Sequence, residues 1–168
     1  QFLDEVIPFA DKEEGTVYEH LKRAVDFSMN HLGVHGMPAG LYADWNDCLR
    51  LGKAGESSFV AMQFYYAMTI LKKFAEYKGD TDYIAYLEEK QKQQGDVINE
   101  FCWNEDRFIR GFTEAGETIG KRTDNEANMW LNPQSWSVIS GLATEEQTEK
   151  AMENVYEKLN TKFGAILM

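Results

Sequence analysis

The chain has 168 residues, 28 of them acidic against 17 Lys and Arg, which gives a formal net charge of −11 and a pI near 4.7. A chain of this length buries roughly 70% of its unfolded surface and so carries one domain with a real core, whereas its charge opposes attraction to a phosphate backbone and argues against a nucleic-acid partner. Cys48 and Cys102 are the only cysteines and stand in no C-x-x-C or His/Cys cluster, which leaves zinc-site and disulfide-scaffold readings without their spacing and makes a reducing compartment the default.

Residues 1–15 mix apolar positions with Pro8 and the acidic stretch Asp11-Lys12-Glu13-Glu14-Gly15, with no sustained period, and read as an entering connection. Thr16-Val17-Tyr18-Glu19 is a capping-box signature that opens a first helix. Its apolar residues Val17, Leu21, Ala24, Val25 and Leu32 fall on one face, and Gly33 is expected to close it as a left-handed cap. From Gly33 to Gly55 runs a glycine-punctuated stretch in which Pro38 forbids helix. A connection this long inside a domain is more often functional than structural.

Ser57 or Ser58 caps a second helix to about Tyr77, apolar around most of its circumference and therefore expected at the centre. Thr81 is expected to cap a third helix to about Phe101, with a thinner apolar stripe. A small β-hairpin is expected near 107–120, around the turn Glu114-Ala115-Gly116-Glu117. Asn132-Pro133 reads as N-cap and first residue of a fourth helix that ends at Gly141. Thr144-Glu145-Glu146-Gln147 is a second capping box, opening a fifth helix to about Leu159. The fold class is all-α, built from antiparallel helix hairpins, with no βαβ alternation. No apolar run approaches the roughly 18 residues of a membrane span, and no charged-then-apolar leader opens the chain, so no membrane partner is expected. Gln1 at the start and the apolar Ala165–Met168 at the end give the expectation that the chain is a piece of a longer one.

The chemistry concentrates in Gly40-Leu41-Tyr42-Ala43-Asp44-Trp45-Asn46-Asp47-Cys48-Leu49-Arg50, where two carboxylates, an indole and a carboxamide occupy positions 44–47. An apolar ring beside an acid is what a sugar site needs: a platform for the C–H face of a pyranose and a proton for its oxygens. Breaking a glycosidic bond requires a proton on the leaving oxygen, and Asp47 is the candidate general acid. Trp45 offers the stacking surface, with Asp44, Asn46 and Glu56 as supporting candidates. Ordinary glycosidases need a second carboxylate roughly 5–5.5 Å away for retention or 6.5–9.5 Å away for inversion, and none can be placed opposite Asp47 from sequence. The plainer readings stay open. Asp44 and Asp47 also fit turn-forming or capping roles, and Glu56 fits a carboxylate at a helix N-terminus, interacting with the macrodipole. His20, His31 and Trp136 fit packing or surface roles. His35 lies nearer a ligand than the other histidines but has no evident partner. Lys53 is not set in a phosphate-loop pattern.

At Ala43-Asp44-Trp45-Asn46-Asp47-Cys48-Leu49 the sequence resembles the cellobiose phosphorylase family, glycoside hydrolase family 94. The likeness extends to Val17-Tyr18-Glu19-His20-Leu21, Gly40-Leu41, Gly55-Glu56-Ser57 and Asn132-Pro133-Gln134-Ser135-Trp136-Ser137-Val138-Ile139-Ser140-Gly141, and so covers essentially the whole chain. It is similar as well to the related chitobiose and cellodextrin phosphorylases, which carry D-W-N-D forms. The resemblance implies that residues 1–168 are a central portion of an (α/α)6 barrel, the catalytic domain of a longer polypeptide. It implies an inverting phosphorylase in which inorganic phosphate, as co-substrate, attacks the anomeric carbon, so that no carboxylate base is needed. By match to the motif, Asp47 corresponds to the general acid and Trp45 to a residue lining the transferred glucosyl unit. The implied partners are a β-linked glucose disaccharide and phosphate, with no metal or organic cofactor, in the cytoplasm, and with room for a homodimer of the full-length protein. Phosphate and acceptor ligands are expected downstream of Met168, which makes this segment alone expectedly inactive. Tyr42 departs from members that carry a basic residue there, which leaves acceptor preference open. The alternatives are an inverting hydrolase on a similar barrel and a helical module that binds carbohydrate without turning it over.

Overall fold

Thr16 and Glu19 exchange hydrogen bonds as the capping box predicts. The Glu19 amide donates to Thr16 Oγ1 at 3.2 Å and the Thr16 amide to Glu19 Oε2 at 2.7 Å. The computed structural model describes residues 1–9 and 13–168, so Asp11 and Lys12 of the acidic stretch lie outside the described residues. The entering segment is not a plain connection. A 3-10 turn at Phe2–Asp4 precedes strands β1 (Val6–Phe9) and β2 (Glu13–Thr16), which pair antiparallel from Val6↔Thr16 to Phe9↔Glu13 and deliver the chain to helix α1 (Val17–Met29). Short strands with a proline on the pairing edge carry too little alternation to be read from sequence.

The α1 helix stops at Met29, with Asn30 as a right-handed cap, so Gly33 is not its left-handed terminator. Gly33 is needed for another reason: a Cβ there would lie 2.4 Å from Glu56 Cγ. After the connection, the two-residue strand β3 (Glu56–Ser57) runs into α2 (Ser58–Lys78), capped by Ser57 Oγ accepting the Val60 amide and ended by Gly79 in the left-handed region at φ 69°. This helix is the spine. Phe64, Met68, Leu71 and Ala75 belong to an apolar cluster shared with α1 and with α3 (Thr81–Cys102), while Ala61 and Met62 belong to a second one with Ile98, Cys102, Phe108 and Phe112. Each fully buried Phe, Met or Leu contributes about 1.5–3 kcal/mol, which is why the sequence wraps apolar residues around most of this one helix.

Asp80, not Thr81, caps α3: its Oδ1 accepts the Tyr83 amide at 3.2 Å. The single hairpin expected near 107–120 is two. Strands β4 (Trp103–Asn104) and β5 (Arg107–Phe108) form one, and β6 (Gly111–Phe112) and β7 (Thr118–Ile119) form the other, with β6 also paired to β3. Gly111 permits that second pairing, because a Cβ would sit 2.3 Å from the Glu56 carbonyl oxygen. Helix α4 (Leu131–Ile139) begins with Trp130 at its N-cap, so Asn132 is not the cap and Pro133 stands third. Proline is tolerated there because the first-turn amides have no intrahelical acceptor. The Leu131 amide finds one in the Leu167 carbonyl, at 2.8 Å. Helix α5 (Glu145–Lys158) carries the second capping box as expected, and strands β8 (Asn160–Thr161) and β9 (Gly164–Ala165) close the chain. Five helices and small sheets of two or three strands thus make up the described fold.

Asp80 also ties helix to helix, since its Oδ2 accepts from Lys22 Nζ at 2.9 Å and from the Tyr18 hydroxyl at 3.1 Å. These donors, Lys22 foremost, hold its carboxyl below the usual carboxylate range against the opposing effect of desolvation. A depressed folded-state value means stability that is present above the unfolded value of about 3.9 and lost as pH falls through the folded one. Asp80→Asn keeps an N-cap oxygen but loses the charge. It is expected to lower stability by about 0.5 kcal/mol at neutral pH, the scale of a solvent-screened pair, with the deficit shrinking near pH 3. Urea unfolding of both forms at the two pH values reads this.

Candidate active site

The connection between α1 and α2 is irregular but not loose, and Glu56 is the first reason. Its side chain is 2% exposed, and it accepts the His35 amide at 3.1 and 3.2 Å, the Met37 amide at 3.0 Å and His35 Nδ1 at 2.5 Å. The expectation that Glu56 faces the helix macrodipole is therefore corrected. It sits on β3 and turns its carboxylate to the 33–37 loop, whose amides satisfy it. His35, for which the sequence suggests no partner, stacks on Phe112 with centroids 3.9 Å apart and lies 4.9 Å from Phe101. Gln94 of α3 fastens the same loop through the Gly36 carbonyl at 2.8 Å.

The next stretch is laid against the chain leading into β3. The amides of Gly40, Leu41 and Tyr42 donate to the carbonyls of Gly55, Lys53 and Gly52 at 2.8, 3.0 and 3.4 Å, and the Ala43 amide returns to the Gly40 carbonyl at 2.8 Å. Between them Leu41 and Tyr42 both adopt left-handed backbone, φ 51° and 70°. For non-glycine residues this costs about 1–2 kcal/mol each, and such strain gathers where a loop must be aimed. Gly55 allows the close approach, since a Cβ would lie 2.2 Å from the Leu51 carbonyl oxygen.

Asp44 and Asp47 then part company. The Asp44 side chain is fully buried, and its Oδ2 pairs with Arg110 Nη2 and accepts the Asn46 amide at 2.8 Å. Arg110, itself 2% exposed at its side chain, also donates through Nη1 to Ser57 Oγ at 2.7 Å. Asn46 repeats the turn motif, its Oδ1 accepting the Cys48 amide at 3.1 Å, so Asp44 and Asn46 are the turn-formers. Asp47, between these turns, is exposed and has no hydrogen-bond or ion-pair partner among the described residues.

Asp47 lines a cleft of about 610 Å³ together with Tyr42, Ala43, Asp44, Leu49, Arg50 and Gly52. Trp45, 62% exposed, instead borders an adjoining hollow of about 280 Å³ with Pro38, Val60 and Gln63, and its ring meets Phe59 edge-on at 5.6 Å. The two depressions share Ala43 and Asp44. The fold thus brings Asp47 and Trp45 to the two sides of one wall rather than into a single hollow, and it leaves Glu56 outside both. Sequence reasoning missed Arg110 and Arg50, and gave Ser57 its capping role without its bond to Arg110. The signal for Arg110 was its place in Arg107-Phe108-Ile109-Arg110, two cations flanking apolar residues that had to be buried.

The whole chain, residues 1–168, matches the family model of the Glycosyl hydrolase 94 superfamily, catalytic domain. The chain belongs to this family. It is 37% identical over 169 residues to the N,N'-diacetylchitobiose phosphorylase of Vibrio furnissii, covering 97% of this chain and 20% of that protein. It is 32% identical over 160 residues to the 3-O-beta-D-glucopyranosyl-beta-D-glucuronide phosphorylase of Paenibacillus borealis, covering 93% and 20%. The chain therefore spans about a fifth of the length of the curated relatives it matches. Among solved structures, a GH78 family rhamnosidase of Bacillus sp. GL1 superposes with a TM-score of 0.68 at 13% identity, over 84% of this chain and 15% of that one, which is a likeness of fold.

Within this family member the strain at Tyr42 can be read directly. The residue is 77% exposed, so little packing is lost on replacement. Tyr42→Asn, an amino acid enriched in left-handed backbone, is expected to stabilise the chain by about 1 kcal/mol, and Tyr42→Val to destabilise it. Urea midpoints of the two variants against the parent measure the difference.

Proposed function

We propose that the full polypeptide containing this chain is an inverting carbohydrate phosphorylase, with Asp47 as general acid, Trp45 as a sugar-stacking surface and inorganic phosphate as the nucleophile. The observation that carries the reading is the division between the two aspartates. Asp44 is consumed by Arg110 and the Asn46 amide, while Asp47 stands free in the larger cleft. A proton donor needs an unengaged carboxyl within reach of the leaving oxygen. The family membership and the phosphorylases among its relatives support the reaction class.

The preferred reaction is phosphorolysis of cellobiose. A phosphate oxygen bonds to the anomeric carbon from the face opposite the aglycone as the glycosidic C–O bond breaks. The electron pair goes to the leaving oxygen, which takes the Asp47 proton, and the phosphate proton is returned to the Asp47 carboxylate. The products are α-glucose 1-phosphate and glucose. A hydrolase of inverting type needs a water-activating carboxylate about 6.5–9.5 Å from the acid. Asp44, the nearest acid in sequence, is already paired with Arg110 and so is not free to activate water. On this reading the five helices belong to an (α/α)6 barrel, of which residues 1–168 are a central portion. Phosphate and sugar phosphates are intracellular metabolites, so the enzyme would work in the cytoplasm. No helix of the described residues is long and apolar enough to cross a membrane.

The test is a time course of the full-length enzyme with cellobiose, with and without phosphate, and with N,N'-diacetylchitobiose as the competing donor. Glucose 1-phosphate formed only when phosphate is present is the expected outcome, and glucose released without phosphate would sink the proposal. Asp47→Asn should lower turnover by about 10²–10⁴-fold, the usual contribution of a general acid, with sugar binding retained in calorimetry.

A further inference from the structure

Arg110 is the second of the two residues that link β5 to β6, and its backbone is fixed on both sides. Its amide donates to the Ile119 carbonyl at 2.8 Å, and its carbonyl accepts from the Ser58 amide at 3.2 Å and Ser58 Oγ at 3.1 Å. From that anchor the guanidinium lies over the rings of Phe59 and Trp130, 5.8 and 5.5 Å from their centroids. One nitrogen then reaches Ser57 Oγ, the cap of α2, and another reaches Asp44 Oδ2. The same Oδ2 accepts the Asn46 amide. Guanidinium and loop backbone are thus joined through a single oxygen, one residue before Asp47. Because the Asp47 side chain has no partner of its own among the described residues, its direction is inherited from the backbone of 44–46.

We propose that Arg110 is a positioning residue for the Asp47 carboxyl, acting through Asp44 and the Asn46 amide. The inference rests on the reading of Asp47 as general acid. Two features favour positioning over simple stabilisation. Asp44 Oδ1 is buried and meets no donor among the described residues, so the pair is not arranged to satisfy every buried polar atom, as an arrangement selected for stability would be. And the planar fork of an arginine fixes the angle between its two acceptors, here the Ser57 hydroxyl and the Asp44 carboxylate, in a way a lysine ammonium does not. The guanidinium therefore sets the loop's orientation relative to the first turn of α2.

The experiment compares two donors in the full-length enzyme: cellobiose, whose leaving glucose needs a proton, and 2,4-dinitrophenyl β-glucoside, whose leaving phenolate does not. If the enzyme takes N,N'-diacetylchitobiose instead, that disaccharide and the matching aryl N-acetylglucosaminide replace them. Arg110→Lys and Asp44→Asn are each expected to lower kcat on the disaccharide by about 10²-fold, the effect of a misplaced reacting group, with KM nearly constant and aryl glycoside phosphorolysis nearly unchanged. The double variant is expected to lose no more than the worse single one, since residues acting as one unit are not additive. Asp47→Asn is the reference. If it shows no split between donors, the acid reading fails. If it shows the split while Arg110→Lys and Asp44→Asn slow both donors alike, or raise KM alone, Arg110 is a structural or binding residue and the proposal is overturned. Circular dichroism checks folding, and Asp44→Asn, nearly isosteric, decides the matter should Arg110→Lys not fold.

Discussion

Two consecutive side chains on a strand only two residues long hold the site together. Successive residues of a strand point to opposite faces, and β3 uses both: Glu56 reaches the 33–37 loop, while Ser57 reaches Arg110 and caps α2. Both are buried, at 1% and 2% exposure. A buried polar group deprived of its partner costs about 1–3 kcal/mol, and a charged one more, so neither face can let go without the loop reorganising. The strand is itself held by β6, and its closeness to Gly111 leaves no room for a side chain there. A long connection that lacks regular structure is in this way ordered by a very short piece that has it.

The glycines near the motif follow from the same crowding. Gly33 yields to the Glu56 carboxylate, and Gly55 to the Leu51 carbonyl. Leu41 and Tyr42 show the reverse situation, residues with side chains placed where glycine or asparagine would be easier. The three amide-to-carbonyl hydrogen bonds from Gly40, Leu41 and Tyr42 offset that strain and hold the turn in its left-handed form. Strain of this kind persists only where the surroundings over-determine it, and here the surroundings are the chain entering β3.

What could be read from the sequence divides along the same line. The capping boxes at Thr16 and Thr144 and the Ser57 cap involve residues three positions apart, and all three form as expected. The central place of α2 was legible because apolar residues cover most of its surface. The misreadings involve distant partners. Gly33 looked like a helix terminator but answers to Glu56. Asn132 looked like a cap, yet the cap is Trp130, two residues earlier, and Leu167 accepts the amide of Leu131, the first helical residue. Glu56 looked like a helix-end carboxylate and binds a loop some twenty residues upstream. Arg110 pairs across 66 positions with Asp44, and although its apolar neighbours mark it for burial, nothing local to either residue announces the pairing. Asp47 and Trp45 could be singled out as candidates because the motif itself is local, and the structure sets them at adjoining hollows.

The two aspartates of the motif show how the fold assigns roles that chemistry alone leaves open. A buried ion pair is weak support for stability, since replacing it with packed apolar residues is often neutral or favourable by about 1–4 kcal/mol. Breaking one side, however, strands a buried charge at a cost of about 3–5 kcal/mol. Once Arg110 is committed to the interior by Phe59, Trp130 and Ser57, the Asp44 side chain is held inward against it. That fixes the backbone at 44 and, through the Asn46 amide, the turn that follows. With alternate turns directed inward at Asp44 and closed on Asn46, the remaining carboxyl, Asp47, faces the cleft with its oxygens unclaimed. The asymmetry between two chemically identical side chains is thus set by one arginine that touches only the first of them.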